Sequence, residues 1–238
     1  MRNIKAVFVK QMLSYFKNSA MFATPAFFLG IPFFMLLLLP GLRDDYLERT
    51  MIVSQFVIMF IGISTIGAAA AFIAEDRSTM NLRFMSMAGV KPYQYLIATG
   101  AALLVTSLAA NILFALLLGF SGDTLVGFLI ISMLGATCSM LLGITFGLSK
   151  FAPFTMIISL LLGVGPIFAG ANDTLASIFN FVYTYQVNSA IRSGGAENLE
   201  SSIRITLINI AVLLVIFIVT NMRNGLDGKR VVQEEKNA

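Results

Sequence analysis

The chain has 238 residues, of which 58% are hydrophobic and only 12% are charged, and its formal net charge is +4. Soluble domains carry about 25% charged residues, so this composition with its long apolar runs indicates an integral membrane protein. The chain has no His and one Cys, Cys138, which excludes an internal disulfide framework and argues against a transition-metal site. Its basic residues are scattered at the ends of apolar runs, which favours contact with anionic lipid over binding to nucleic acid.

The first predicted element is an amphipathic helix over residues 2 to about 17, within an interfacial segment at 1–18. Its apolar side chains follow the i, i+3, i+4 spacing of one helical face. They are Ile4, Val7, Phe8, Met12, Tyr15 and Phe16. The polar residues predicted to lie on other faces are Lys5, Gln11, Ser14 and Lys17. We expect this helix to lie in the membrane interface, where basic side chains reach lipid phosphates.

Six uncharged runs follow, and each reaches or nearly reaches the roughly 20 residues that a helix needs to cross the hydrocarbon core. The runs are 18–42, 50–74, 92–122, 124–149, 151–172 and 205–222. Pro25, Pro32 and Pro40 are expected to kink or bound the first run. The sequence therefore predicts an all-α integral membrane fold, with six transmembrane helices in a single domain over 1–238.

A seventh uncharged run, 174–191, is rich in Thr, Ser, Asn and Gln and is too polar for a span that faces lipid. Half-spanning backbone is tolerated at membrane depth only where protein or a water-filled cavity covers it. We therefore predict that 172–203 is an external segment, with a re-entrant or surface helix before the sixth span.

The distribution of Lys and Arg sets the predicted orientation. With six spans and both termini inside, twelve basic residues fall in cytoplasmic segments and four in external segments, as the positive-inside rule requires. A seventh span would place the basic tail, 223–238, outside the cell, against that rule. The loop 75–91, between the second and third spans, is therefore predicted to be cytoplasmic.

This loop contains the pattern of a short amphipathic helix. The side chains that share its apolar face are Met80, Phe84, Met87 and Ala88. Gly89 then ends the turn and Pro92 opens the next apolar run, which are the expected residues at a helix end and a helix start. Glu75 and Asp76 stand together before the pattern, and we interpret them as a solvated helix start, since a catalytic pair would need a concave site. The helix is predicted to be a docking surface.

The fourth predicted span has small residues at every fourth position, which lets another helix backbone approach closely. They are Gly135, Ser139, Gly143 and Gly147. Packing within the chain is favoured over a contact between two copies. The fifth span carries a cluster of helix-breaking residues near its outer end. These are Gly163, Gly165, Pro166 and Gly170, and they indicate either a broken helix that lines a cavity or hinge, or a helix terminus.

The chemistry of the spans narrows the function. No ionisable side chain lies inside any predicted span, which argues against proton-driven transport. The chain has no G-x-x-x-x-G-K-[ST] phosphate loop and no His, so we do not expect it to be an enzyme by itself. Gln55 and Asn111 are the costliest polar groups to bury, and with Pro166 they are the candidates for a substrate pathway; packing is an equally good interpretation. A pathway this apolar suits a hydrophobic or amphipathic cargo.

This layout resembles the permease subunits of ABC-2 type ABC transporters. The stretch IAEDRSTMNLRFMSMAGVKPYQYLIAT, at 73–99, is similar to the loop of that family between spans two and three. The segment SIFNFVYTYQVNSAI, at 177–191, resembles its external region before span six, although a Pro often found there is missing. The resemblance covers essentially the whole chain, and the layout carries more of it than any single residue.

The resemblance implies a separate ATP-binding subunit that holds ATP and Mg, so no cofactor is expected in this chain. It also implies two permeases in the working unit, either two copies or two related chains, with export as the common direction. The docking helix would run from Glu75 to Gly89. The residues implied to contact the ATP-binding subunit are Glu75, Asp76, Arg77, Met80, Asn81, Arg83, Phe84 and Met87. The pathway would lie between the two permeases, lined partly by spans two and five, in a bacterial plasma membrane.

Two other classes of function stay open at this stage. One is a non-transporting membrane protein, such as an immunity or scaffold protein that binds a partner in the bilayer. The other is a passive channel or lipid scramblase. An ATP-binding protein encoded beside this chain would distinguish the exporter from both. No residue chooses among a drug, an antimicrobial peptide and a lipid as the cargo.

Overall fold

The computed structural model describes residues 2–149, 152–169, 173–193 and 198–224, and all regular structure in these ranges is helical. The helices are α1 (Arg2–Lys17), α2 (Ser19–Leu38), α3 (Pro40–Asp44), α4 (Tyr46–Met59), a π-helix (Phe60–Thr65), α5 (Ile66–Ser78), α6 (Asn81–Met87), α7 (Pro92–Leu118), α8 (Gly122–Leu148), a 3₁₀ turn (Ala152–Phe154), α9 (Thr155–Ala169), α10 (Asp173–Phe179), α11 (Tyr183–Arg192) and α12 (Leu199–Asn224). The all-α prediction is confirmed for the described residues. The predicted tail beyond Asn224 lies outside them, as does Gly170.

Within the described ranges, five helices are long and apolar enough to cross a membrane. They are Met21–Leu38, Tyr46–Ser78, Pro92–Leu118, Gly122–Leu148 and Leu199–Met222. The run predicted as a fifth span, 151–172, is also helical, but α9 has only 15 residues. At 1.5 Å per residue α9 extends about 22 Å, which is short of a hydrocarbon core of roughly 30 Å. The chain is therefore a multi-pass membrane protein with five helices of spanning length and a shorter sixth apolar helix.

The predicted amphipathic helix is present as α1, and its apolar face packs on the bundle. Val7 and Tyr15 are buried, and Ile4 and Phe8 are half-buried against the same core. Burial raises the pKa of the Tyr15 phenol to about 12, so the phenol is neutral at ordinary pH. The prediction for Gln11 is wrong, because this side chain is fully buried against α5 and α7 rather than on a polar face.

The second long helix runs without a break from Tyr46 to Ser78, beyond both ends of the predicted span at 50–74. Its middle turn is the π-helix, which widens the backbone by one residue. Gly62 in this turn lies directly against α9, since a Cβ added to it would come within 2.6 Å of the Gly163 Cα. The absence of side chains at these two positions lets the two helices cross with their backbones in contact.

The small residues of α8 are used for packing within the chain, as predicted. A Cβ on Gly143 would meet the Ile66 carbonyl oxygen at 2.4 Å, and one on Gly147 would meet the Ile73 Cβ at 2.8 Å. Ser139 lies beside Tyr183, with 2.7 Å between the two hydroxyl oxygens. The small residues at every fourth position of α8 therefore contact α11 at Ser139 and α5 at Gly143 and Gly147.

Of the two predicted alternatives for the glycine and proline cluster around Pro166, the helix break is wrong, whereas a helix terminus near its end agrees with α9, which ends at Ala169. α9 continues through Pro166 to Ala169, and Pro166 is buried. A proline inside a helix removes one backbone hydrogen bond but is tolerated where neighbouring helices hold the segment in place. Gly163, one turn earlier, is held in this way against the π-helix.

The polar segment before α12 forms two short helices with different environments. α10 has no buried residue, whereas most of α11 is buried. α11 packs among α4, α8 and α12, and its Tyr183 and Val187 belong to a core cluster that includes Phe114 of α7. With ten residues it extends about 15 Å, roughly half the thickness of a hydrocarbon core. Of the two predicted forms, α11 therefore matches a helix inserted among the spans better than a surface helix.

Candidate functional site

The loop between α5 and α7 folds as a short helix, α6, with a left-handed residue on each side. Met80 precedes α6 with φ 54°, and Gly89 follows it with φ 78°. Pro92 then occupies the first turn of α7. The glycine turn and the proline start are confirmed. The predicted helix from Glu75 to Gly89 is wrong in its bounds, because residues 75–78 belong to α5 and α6 covers only Asn81–Met87. Met80 is an unusual residue for a left-handed conformation, which costs an L-residue about 1–2 kcal/mol.

α6 has an inner face and an outer face. Leu82 and Met85, on the inner face, are half-buried against the core cluster formed by α1, α5, α7 and α8. On the outer side, Met80 is 47% exposed, Phe84 60% and Met87 72%. The predicted apolar side chains are thus largely exposed, while Phe84 and Ala88 also line a groove toward α1. We call Met80, Phe84 and Met87 the outer face of α6.

The carboxylate of Asp76, in the last turn of α5, is buried, with 3% of the residue exposed. Its Oδ1 accepts hydrogen bonds from Lys10 Nζ and, at 3.2 Å, from Asn81 Nδ2. Its Oδ2 accepts from Gln11 Nε2 at 2.8 Å and from the Tyr95 hydroxyl at 2.9 Å. The donors belong to α1, α6 and α7. We call these five residues the Asp76 clamp.

The prediction of a solvated helix start is therefore wrong for Asp76. A carboxylate has about four acceptor positions, and four donors already occupy them here. Its charge is paired with the ammonium of Lys10, so an external partner has no free oxygen to bind. Asp76 was predicted as a docking residue, but its side chain is buried inside the bundle.

The other predicted docking residues lie around the clamp at the same end of the bundle. Glu75 is half-buried, and its Oε2 accepts from Asn18 Nδ2 at 3.3 Å. Arg77 is exposed, and its Nη1 donates to the carbonyl oxygen of Gly147 in α8 at 3.4 Å. Arg83 is exposed on α6. The structure therefore brings the predicted set together, with Asp76 inside and the arginines at the surface.

A cleft of about 500 Å³ opens between α2, the helix pair formed by the π-helix and α5, and α9. None of the described residues that line it is charged. Its walls consist mainly of small side chains, with hydroxyl groups and one amide as the polar atoms. The lining residues are Asn18, Met21, Thr24, Ile63, Ser64, Gly67, Ala68, Ala70, Ala71, Ala74, Pro153, Thr155, Met156 and Ser159. Asn18 joins the cleft to the loop, because its side chain also bonds Glu75.

The three predicted pathway residues do not line this cleft. Gln55 is half-buried, and Pro166 is buried within α9. Asn111 is fully buried, and its Nδ2 lies 3.7 Å from the sulfur of Met133. The prediction looked for polar side chains that are costly to bury, and it therefore missed this cleft, because small residues such as alanine and glycine form much of its wall. The available signal was the set of small residues at 67, 71 and 74, which share one face of α5.

The described residues contain no group of three or more His, Cys, Asp or Glu that could hold a metal ion. The site consists of an exposed apolar helix, a buried ion pair and an uncharged cleft. Comparisons of this chain with protein-family models and with curated proteins find no match.

Proposed function

We propose that this chain is the membrane-spanning permease subunit of an ATP-driven exporter of the ABC-2 type. The observation that carries the proposal is the outer face of α6. Three large apolar side chains stand exposed on a short helix between two spans, next to the exposed cations Arg77 and Arg83. Exposed apolar patches with a polar rim are typical of sites where proteins bind one another. The partner is a separate ATP-binding subunit, which holds ATP and Mg.

The proposal includes a sixth span. α9 and the 3₁₀ turn before it, Ala152–Phe154, together form a continuous apolar stretch. The 3₁₀ turn adds about 6 Å to the roughly 22 Å of α9, which brings the stretch close to the thickness of a hydrocarbon core. With six spans, both termini and α6 lie on the cytoplasmic side, in agreement with the distribution of Lys and Arg.

The cleft is the proposed entry point for cargo. Its volume of about 500 Å³ is in the range of sites that hold drug-sized molecules. Because no described lining residue is charged, a hydrophobic or amphipathic molecule such as a drug, an apolar peptide or a lipid is the preferred cargo. A second permease, identical or related, completes the pathway, and α5 and α9 line it in part.

The proposal is tested by purifying the chain with the ATP-binding protein encoded beside it. Serine at Met80, Phe84 and Met87 together should abolish most of the binding. At about 2 kcal/mol for a fully buried side chain, burial of the exposed fractions contributes about 3.5 kcal/mol, which is an affinity loss of about 300-fold. Affinity is measured in nanodiscs, and ATP-dependent export is measured in inside-out vesicles.

The matched control replaces three equally exposed apolar residues away from α6. Leu38, Leu39 and Leu47 are 74%, 51% and 75% exposed. They lie at the end of the helix bundle that is predicted to be external. Their triple serine variant should bind the ATP-binding subunit as the wild type does. Equal affinities of the two triple variants, or ATP-independent export by the wild type, would refute the proposal. ATP-independent movement of cargo would instead favour a channel or a scramblase.

A further inference from the structure

Docking alone does not account for the Asp76 clamp. A residue that binds an external partner needs a free acceptor or donor, and both oxygens of Asp76 are fully occupied by side chains of this chain. Burial of a charge is also costly unless it is paired and hydrogen-bonded. A surface helix could be held in place by apolar contacts alone. The clamp therefore has a function inside the bundle.

The attachment of α6 shows what that function is. One left-handed residue lies on each side of α6: Met80 separates it from α5, and Gly89 separates it from α7. Behind it lies a groove of about 350 Å³ between α1 and α6, so α6 is not packed tightly on α1. The side chains that line the groove are Ala6, Val7, Lys10, Asn81, Phe84, Met85, Ala88 and Val90.

Lys10 and Asn81 each have a double role in this arrangement. Both line the groove, and both donate to the same oxygen of Asp76, one from α1 and the other from the first residue of α6. The second oxygen of Asp76 binds Gln11 of α1 and Tyr95 of α7. The carboxylate is thus a buried polar link that joins α6 to α1 and α7. A second, exposed link to α1 lies beyond the end of α6, where Asn3 Nδ2 donates to the Gly89 carbonyl oxygen at 3.3 Å.

We propose that Asp76 is a positioning residue that makes α6 move together with α1 and α7. This inference rests on the proposed function. When the ATP-binding subunit displaces α6, the clamp transmits the displacement to the long helices. Without the clamp, α6 would move into the groove and the displacement would be lost. Asp76 thereby couples ATP hydrolysis to export without contacting either the nucleotide or the cargo.

The first test does not depend on transport. Hydrogen–deuterium exchange is measured on the full chain in lipid nanodiscs, for the wild type, Asp76→Asn and Asn81→Ala. We expect the amides of α6 to exchange at least tenfold faster in both variants, with unchanged exchange in the middle of α8. Asn81→Ala removes a half-buried group and leaves the ion pair intact, so it provides an answer even if Asp76→Asn does not fold. Unchanged exchange of α6 in Asn81→Ala would overturn the proposal.

Glu75→Gln is the matched control. Glu75 is the neighbouring carboxylate, but its Oε2 accepts from Asn18 rather than from a residue of α6. We expect its α6 amides to exchange at the wild-type rate. Faster exchange in this variant, equal to that of Asn81→Ala, would show that any change of charge in the loop loosens α6, and it would overturn the specific role of Asp76.

The second test uses the complex with the ATP-binding subunit. In Tyr95→Phe, which removes the buried hydroxyl that joins Asp76 to α7, we expect ATP hydrolysis to stay within twofold of the wild type, while export per ATP hydrolysed falls at least fivefold. Parallel loss of hydrolysis and export would indicate a structural role only and would overturn the proposal. A wild-type chain that binds no ATP-binding subunit would refute the proposed function instead, and the exchange comparison would still decide whether Asp76 holds α6.

Discussion

The crossing of the π-helix with α9 allows a quantitative test of the structure. In Gly62→Ala the added Cβ would lie 2.6 Å from the Gly163 Cα and 2.7 Å from its nitrogen. Both neighbours are backbone atoms, so no side chain can rotate away and the helices must separate. Overpacking of this kind costs about 1–3 kcal/mol, and we take the upper end because both partners are rigid. The better helix propensity of Ala offsets about 1 kcal/mol, which leaves a loss of about 2 kcal/mol.

Gly67→Ala is the matched control for this prediction. Gly67 lies in the same long helix, but no heavy atom is within 4 Å of its added Cβ. This variant should therefore gain up to about 1 kcal/mol from helix propensity. The free energy of unfolding is measured by denaturation in mixed micelles of detergent and dodecyl sulfate. A difference of about 3 kcal/mol between the two variants is expected. Equal stability would refute the close approach of the two helices.

Four further substitutions test the geometry of the loop and the Asp76 clamp. Met80→Gly should raise the free energy of unfolding by about 0.5–1 kcal/mol, because glycine relieves the left-handed strain. Met87→Gly, inside α6, should lower it by about 1 kcal/mol. Tyr95→Phe should lower the free energy of unfolding by about 2 kcal/mol, since Asp76 loses a buried charged hydrogen bond. Tyr93→Phe, at a 54% exposed site, should change the free energy of unfolding by less than about 0.5 kcal/mol. The same unfolding titration measures all four variants, and equal values for the two tyrosine variants would contradict the clamp.

The sequence predicted those parts of the fold that depend on local pattern. A few neighbouring residues are enough to recognise an uncharged run, a glycine in a turn or a proline at a helix start. The short helix of the loop, with Gly89 and Pro92 after it, was predicted in this way. The stripe on α8 was also readable, because small residues at every fourth position have few explanations apart from close packing.

The parts that were missed depend on contacts between residues distant in the chain. Asp76 stands in a polar stretch beside Glu75 and Arg77, which looks solvated when read locally. Its partners on α1, Lys10 and Gln11, are 66 and 65 positions away. The pattern of α1 alone suggested lipid contacts for the basic side chains and a polar face for Gln11. The π-helix was not predicted for a related reason. It lies where Gly62 meets Gly163 of α9, and this contact leaves no periodic pattern in the local sequence.

The two faces of α6 have different origins, and the difference bears on function. A helix of seven residues is too short to be stable by itself in water, so α6 depends on its anchors. The inner face and the clamp provide those anchors through Leu82, Met85 and Asn81. Met87 contributes nothing to this attachment, because it is 72% exposed, whereas Phe84 also lines the groove toward α1. A polar residue at position 87 would leave the attachment unchanged, so the apolar side chain of Met87 has no structural explanation within the described part of the chain. The proposed ATP-binding subunit would account for this exposure by covering it, and the Asp76 clamp would carry a displacement of α6 to α1 and α7.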